Sequence, residues 1–201
     1  MDDGRQKVTP PVTGGTFVCV SGPSGAGKDT LIRLARLELG ARPGFLFPPR
    51  LITRPKSIFE DHEILSQTEF DAGVRTGRFA LHWQAHGLAY AIDRSVLPAL
   101  AAGATVICNV SREAVSAARE KFTDVKVVVI TAPEAVLAAR LAARGRECPE
   151  AVSERLARNQ SFAAGQHKDV APDLTISNAG LPETAAKALA AFLIALKEGK
   201  N

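Results

Sequence analysis

Residues 22–30 read GPSGAGKDT, and their types and spacing are those of a loop that cradles phosphate. Gly22, Gly27 and Lys28 satisfy the pattern G-x-x-x-x-G-K, with Pro23, Ser24, Gly25 and Ala26 between them. Glycines let successive backbone N–H groups turn inward around phosphate oxygens, and a helix opening at the end of the loop adds partial positive charge. Lys28 then reaches the outer phosphates of a bound nucleotide. A glycine-rich turn that binds nothing is the structural alternative. The flanks disfavour it. TFVCVSG (16–22) is strand-like, and DTLIRLARLEL (29–39) places Leu31, Leu34, Ala35 and Leu39 at helical spacing before a Gly40 C-cap.

The position after the lysine ordinarily carries a hydroxyl for magnesium, and here it carries Asp29. A carboxylate in the first helical turn is favoured by roughly 0.3–1 kcal/mol, so simple capping is one reading. The same carboxylate would face a triphosphate of like charge, which is tolerable only with a cation between them. Magnesium takes carboxylate oxygen directly or through a bound water, and Asp29 is accordingly read as a magnesium-shell residue. Thr30 still offers a hydroxyl to the phosphates.

Two further clusters carry polar chemistry. RLAARGRECPEAVSERLAR (140–158) concentrates five arginines, a set able to grip phosphate oxygens in pairs or simply to solvate a helix face. FALHWQAHG (79–87) spaces His82 and His86 like the two ligands of a zinc helix, but Trp83 stands where the glutamate of H-E-x-x-H belongs, and Gly87 argues for a turn. Zinc is therefore disfavoured.

These residues need a frame. Five β-rich runs, at 16–22, 45–53, 104–110, 125–131 and 173–178, are apolar on both faces, as strands of a covered parallel sheet must be. Helical patterns separate them, which predicts a doubly wound α/β fold. Residues 54–100 break the alternation with charges, histidines and short apolar runs, and are read as an insertion that carries function. The first fourteen residues read as a loose tail without the apolar segment of a signal peptide.

The bulk properties bound the rest. The 201 residues suffice for one well-buried core, with 46% hydrophobic and 23% charged residues. A net charge of +4, with no basic run and one Trp and one Tyr, suits an anionic small molecule and gives little support for nucleic-acid binding. Cys19, Cys108 and Cys148 form no C-x-x-C pair and are read as reduced thiols. No apolar run approaches the ~18 residues of a membrane helix, so a cytoplasmic protein without membrane contact is expected.

GPSGAGK, ITRP (52–55), EDHEILSQTEF (60–70), HGLAYAI (86–92) and RLAARGRECPEAVSERL (140–156) occur in the order seen in P-loop kinases of the guanylate-kinase fold, and the chain resembles that family from about residue 15 to 178. The resemblance implies one P-loop NTPase domain over 15–201: a five-stranded parallel sheet flanked by helices, an acceptor-binding insertion at about 50–100 and an Arg-rich lid at about 141–160. It implies ATP and Mg2+ as cofactors, with Lys28, Asp29, Arg140, Arg144 and Arg155 on the transferring phosphates. Arg54 and Tyr90 match positions that hold the acceptor phosphate; Arg50, His62, His86, His82 and Arg94 are further acceptor candidates.

Three departures separate the chain from guanylate kinases. Leu81 stands at the place of the glutamate that reads guanine, ICNVSRE (107–113) replaces an acidic D-x-D, and the loop ends GKD. Together with ITR, EDH, HWQAHG, N-x-S-R and RGRE, these resemble the ribose 1,5-bisphosphate phosphokinases, the phosphonate-catabolism branch of the group. That branch moves the ATP γ-phosphoryl onto the 1-phosphate of a sugar bisphosphate to give 5-phosphoribosyl 1-diphosphate. A phosphate monoester with second pKa near ~6 is largely dianionic at pH 7, so such a nucleophile needs no general base. A GMP kinase and a non-catalytic guanylate-kinase-like binding module remain the alternatives, and a monomer and a homodimer are equally compatible with the sequence.

Overall fold

The computed structural model describes residues 11–54, 62–85, 87–143 and 171–199. A five-stranded sheet forms the centre: β1 (Thr16–Ser21), β2 (Phe45–Leu46), β7 (Thr105–Asn109), β8 (Val125–Thr131) and β9 (Leu174–Ser177), in the order β2-β7-β1-β8-β9. Every pairing in it is parallel. β1 lies in the middle and all of its residues are buried. Its side chains alternate between two apolar layers, as a pleat requires. Val18 and Val20 pack with Ile107 and Ile130 beneath α1 (Lys28–Leu39) and α6 (Pro182–Glu198), which contribute Leu31, Ala35, Leu189 and Leu193. Phe17 and Cys19 face the other way, against Val106, Cys108 and the Ala114, Val115 and Ala118 stripe of α4 (Glu113–Lys121). α5 (Glu134–Ala143) follows β8.

All five expected runs supply strands of this sheet, but the second does so only in part. Phe45–Leu46 joins it, whereas Arg50–Ile52 (β3) leaves for another sheet. Pro48 and Pro49 stand between them; proline donates no ladder hydrogen bond, so the run breaks there.

The insertion builds that second sheet from β3, β4 (His62–Ile64), β5 (Phe79–Ala85) and β6 (Leu88–Asp93), in the order β4-β3-β6-β5. α2 (Gln67–Thr76) covers one of its faces, with Phe70 packed among Leu51, Leu65, Phe79, Ala89 and Ala91. Ser66 and Glu69 start this helix with a reciprocal capping box, and Gly77 ends it in the left-handed conformation. The other face, carrying Leu81, Trp83 and Ile92, joins the α4 side of the central core. A short turn, Arg94–Val96, and α3 (Leu97–Ala101) return the chain to β7.

The tail is shorter than the sequence reading made it. Val12 bridges to Phe122, its N–H donating to the Lys121 carbonyl at 2.9 Å, so residues 11–14 are tied to the end of α4. Among the described residues no helix is long and apolar enough to cross a membrane.

Candidate active site

The phosphate loop connects β1 to α1 at the carboxyl edge of the parallel sheet, where open α/β sheets bind their ligands. Gly22 has φ 146°, and a Cβ there would collide with the Ile130 carbonyl oxygen of β8. Gly27, the N-cap of α1, has φ 87°, and its Cβ would meet Asn178 Nδ2 at 2.6 Å. Only glycine suits either position. Asn178, 2% exposed just past β9, fixes the loop from behind. Its backbone N–H donates to the Thr131 carbonyl at 2.7 Å and its Nδ2 to the Ala26 carbonyl at 2.8 Å. Lys28 Nζ donates to the carbonyls of Gly22 and Pro23 at 2.8 and 3.0 Å, which keeps the ammonium against the loop. Ser24, Gly25 and Ala26 complete the turn, and Thr30 is exposed on the first turn of α1.

Asp29 is the junction between this loop and the insertion. Its carboxylate accepts from Asn109 Nδ2 at 2.7 Å and from Arg50 Nη2 at 3.2 and 3.3 Å. The Arg50 and Asp29 side chains are 11% and 24% exposed, so the pair is well shielded from water. α1 has no side-chain cap, and the carboxylate is turned to polar partners outside the helix.

Strand register sorts the acceptor candidates by face. Arg50 and Ile52 alternate with Leu51, which packs under α2. Ile52 pairs with Tyr90, and Tyr90 pairs with Trp83, so these three residues and Arg50 share the face turned toward Asp29. The Trp83 and Tyr90 rings stack, centroids 5.3 Å apart and 8° from parallel. Leu81 pairs with Ile92 on the same face and is wholly buried. Arg54 follows β3, beyond a residue fixed by the Ala89 N–H donating to Thr53 Oγ1 at 2.9 Å. His62 stands at the register position opposite Arg50. His82 lies on the opposite face, with the Phe70 and Phe79 rings, so the geometry removes it from the acceptor side. It sits on a strand, not on the helix that a zinc pair would need. Arg94 is exposed on the turn after β6. His86, Arg144 and Arg155 lie outside the described residues.

Arg140 occupies the last turn of α5, and its Nη1 would be 3.9 Å from a Cβ at Gly27. That Nη1 is buried without a hydrogen-bond partner among the described residues. A buried guanidinium N–H beside the opening of α1 is a donor suited to an anion. With the loop N–H groups and Lys28, this donor set fits phosphate oxygens, and the Asp29 carboxylate is an oxygen ligand of the kind magnesium takes.

Sequence reading missed Asn109 as a partner of Asp29 and Asn178 as the brace of the loop. Each is a buried polar residue at the carboxyl end of an apolar strand. That placement, on the edge where ligands bind, was the available signal.

No family model matches the chain. It is 48% identical over 179 residues to the ribose 1,5-bisphosphate phosphokinase PhnN of Methylobacterium radiotolerans, covering 89% of this chain and 97% of that one. It is 46% identical over 185 residues to the protein of that name from Brucella abortus, covering 92% and 93%. Among solved structures, a guanylate kinase from Anaplasma phagocytophilum superposes with TM-score 0.67 at 17% identity, over 94% of this chain and 89% of that one. The fold is thus guanylate-kinase-like, a P-loop α/β architecture. With nearly half of its residues shared across almost the whole length of such relatives, the chain belongs to the ribose 1,5-bisphosphate phosphokinase family.

Proposed function

We propose that the protein transfers the γ-phosphoryl group of ATP to the 1-phosphate of ribose 1,5-bisphosphate, giving 5-phosphoribosyl 1-diphosphate and ADP, as a single-domain enzyme of the cytoplasm serving phosphonate catabolism. The observation that carries this reading is Leu81. It is fully buried on the sheet face that bears Arg50, at the position matched to a guanine-reading glutamate, and it offers no hydrogen bond to a base edge. A site that lacks the polar partner of one substrate loses a large factor of discrimination for it. The names carried by the relatives point to the same acceptor.

In this reading the loop N–H groups of residues 22–27, Lys28, Thr30 and Arg140 hold the ATP phosphates. Asp29 serves magnesium, directly or through water, while Asn109 and Arg50 keep its carboxylate oriented. Magnesium, when bound, supplies charge neutralisation on the outer phosphates. Arg144 and Arg155, assigned by resemblance, close over the transferring group. Arg50, Arg54, Tyr90, His62 and His86 receive the acceptor phosphates. The acceptor phosphate is largely ionised at neutral pH, so the protein positions and neutralises, and abstracts no proton.

The test is a coupled assay with ATP and magnesium in which ribose 1,5-bisphosphate and GMP are offered in parallel. Turnover of the sugar bisphosphate with little of GMP is expected. Preferential turnover of GMP would replace this reading with a nucleotide kinase that recognises guanine without the glutamate whose place Leu81 takes. Absence of ATP binding by thermal shift would indicate a binding module.

A further inference from the structure

Two buried polar atoms at the acceptor side have no hydrogen-bond partner among the described residues: Trp83 Nε1 and Ser111 Oγ. Trp83 is only 7% exposed. A buried donor left unpaired is costly, and a fold retains one where something else completes it. Trp83 shares its sheet face with Arg50, which reaches Asp29 beside Lys28. Ser111 lies two residues past Asn109, which binds the same carboxylate. Trp83 belongs to one apolar cluster with Val110, which precedes Ser111, and with Ala114, three residues after it, and α4 packs on β5. Each orphan is thus tied through one neighbour to the Asp29 carboxylate, Trp83 through Arg50 on its sheet face and Ser111 through Asn109 two residues before it.

Their chemistry narrows the ligand. An indole N–H only donates, and a serine hydroxyl both donates and accepts. Neither is charged, whereas phosphate oxygens go to guanidinium groups such as Arg50 and Arg54. An uncharged donor on a stacked aromatic ring, together with an amphoteric hydroxyl, matches neutral sugar hydroxyls. The indole N–H cannot serve the donor edge of guanine, which needs acceptors.

We infer that Trp83 and Ser111 read the ribose hydroxyl edge of the acceptor, Trp83 donating to one hydroxyl oxygen and Ser111 exchanging a hydrogen bond with its neighbour; this deepens, and rests on, the kinase reading above. The site then selects ribose over 2-deoxyribose.

The wild-type protein is assayed first with ribose 1,5-bisphosphate and 2-deoxyribose 1,5-bisphosphate, where the ribose form should be preferred about 10–100-fold in kcat/KM. W83F keeps the stacked ring and removes the N–H. It should raise the sugar KM about tenfold with the ATP KM unchanged, and lose only the modest thermal stability that the smaller buried ring costs. S111A, which is structurally milder, should bring the ribose preference down to a few-fold. Trp83 is the one tryptophan of the chain, so its emission should also shift when ribose 1,5-bisphosphate is added with magnesium and a non-hydrolysable ATP analogue. Unchanged sugar kinetics and ribose preference in both variants, or silent emission at saturating acceptor, would overturn the inference and leave the two groups to buried water. If the wild-type protein fails to turn over ribose 1,5-bisphosphate, the kinase reading falls and takes this one with it. Turnover with insensitive variants removes the inference alone.

Discussion

Asp29 carries more structure than a loop position normally does. Sequence reading made it a magnesium-shell residue in preference to a helix cap and did not find its protein partners, because each is remote in the chain: Arg50 is 21 residues away and Asn109 is 80. No local pattern reports such a meeting. The loop itself was legible, since the glycine spacing encodes the backbone geometry that Gly22 and Gly27 adopt, and Lys28 follows directly in the chain. On this basis K28A should lower kcat by about 10³-fold without unfolding the protein, checked by initial rates beside a thermal melt. D29A should cost about 10–100-fold in turnover and move the magnesium titration to higher concentration. An unchanged magnesium curve would return Asp29 to a purely local role. Cys19 and Cys108 make a different prediction. Burial pushes the Cys19 thiol up to about 12, and burial likewise raises Cys108. Both should resist alkylation at pH 8 in the folded protein and react once it is denatured, as mass spectrometry of the modified peptides would show.

At the scale of elements, the central strands were readable because residues buried on both faces spell out continuous apolar runs. The insertion sheet was not. Its strands are three to seven residues long, one face meets α2 and the other the core, and Pro48 and Pro49 hide the point where one run serves two sheets. α2 depends on its cap: S66A removes the acceptor for the Glu69 N–H and should destabilise by about 1 kcal/mol in urea unfolding, with kcat nearly unchanged. His82, placed against Phe70 and Phe79, is held below its usual 6.5 by burial and then by the charge of Lys121. A histidine depressed in this way binds a proton more readily unfolded. Its stabilisation is complete above about pH 6.5 and is lost as the pH falls from there toward the folded value. H82F should flatten the melting temperature between about pH 7 and 5, and a retained slope would assign the dependence to other groups.

For the molecule as a whole, the path of the chain matters as much as its contacts. It leaves the central sheet after β2 and comes back at β7, and these two strands are hydrogen-bonded neighbours, Phe45 opposite Thr105. The excursion that builds the second sheet therefore starts and finishes about 4.8 Å apart, the spacing of adjacent strands. Such a pair of ends is what permits whole units to be exchanged between proteins of one architecture without re-threading the host. The insertion, proposed above to hold the acceptor, is in that sense a cassette. Replacing residues 47–104 by their counterparts from a guanylate kinase would trade one acceptor chemistry for another, provided that the transplant brings along the apolar face that seats against α4.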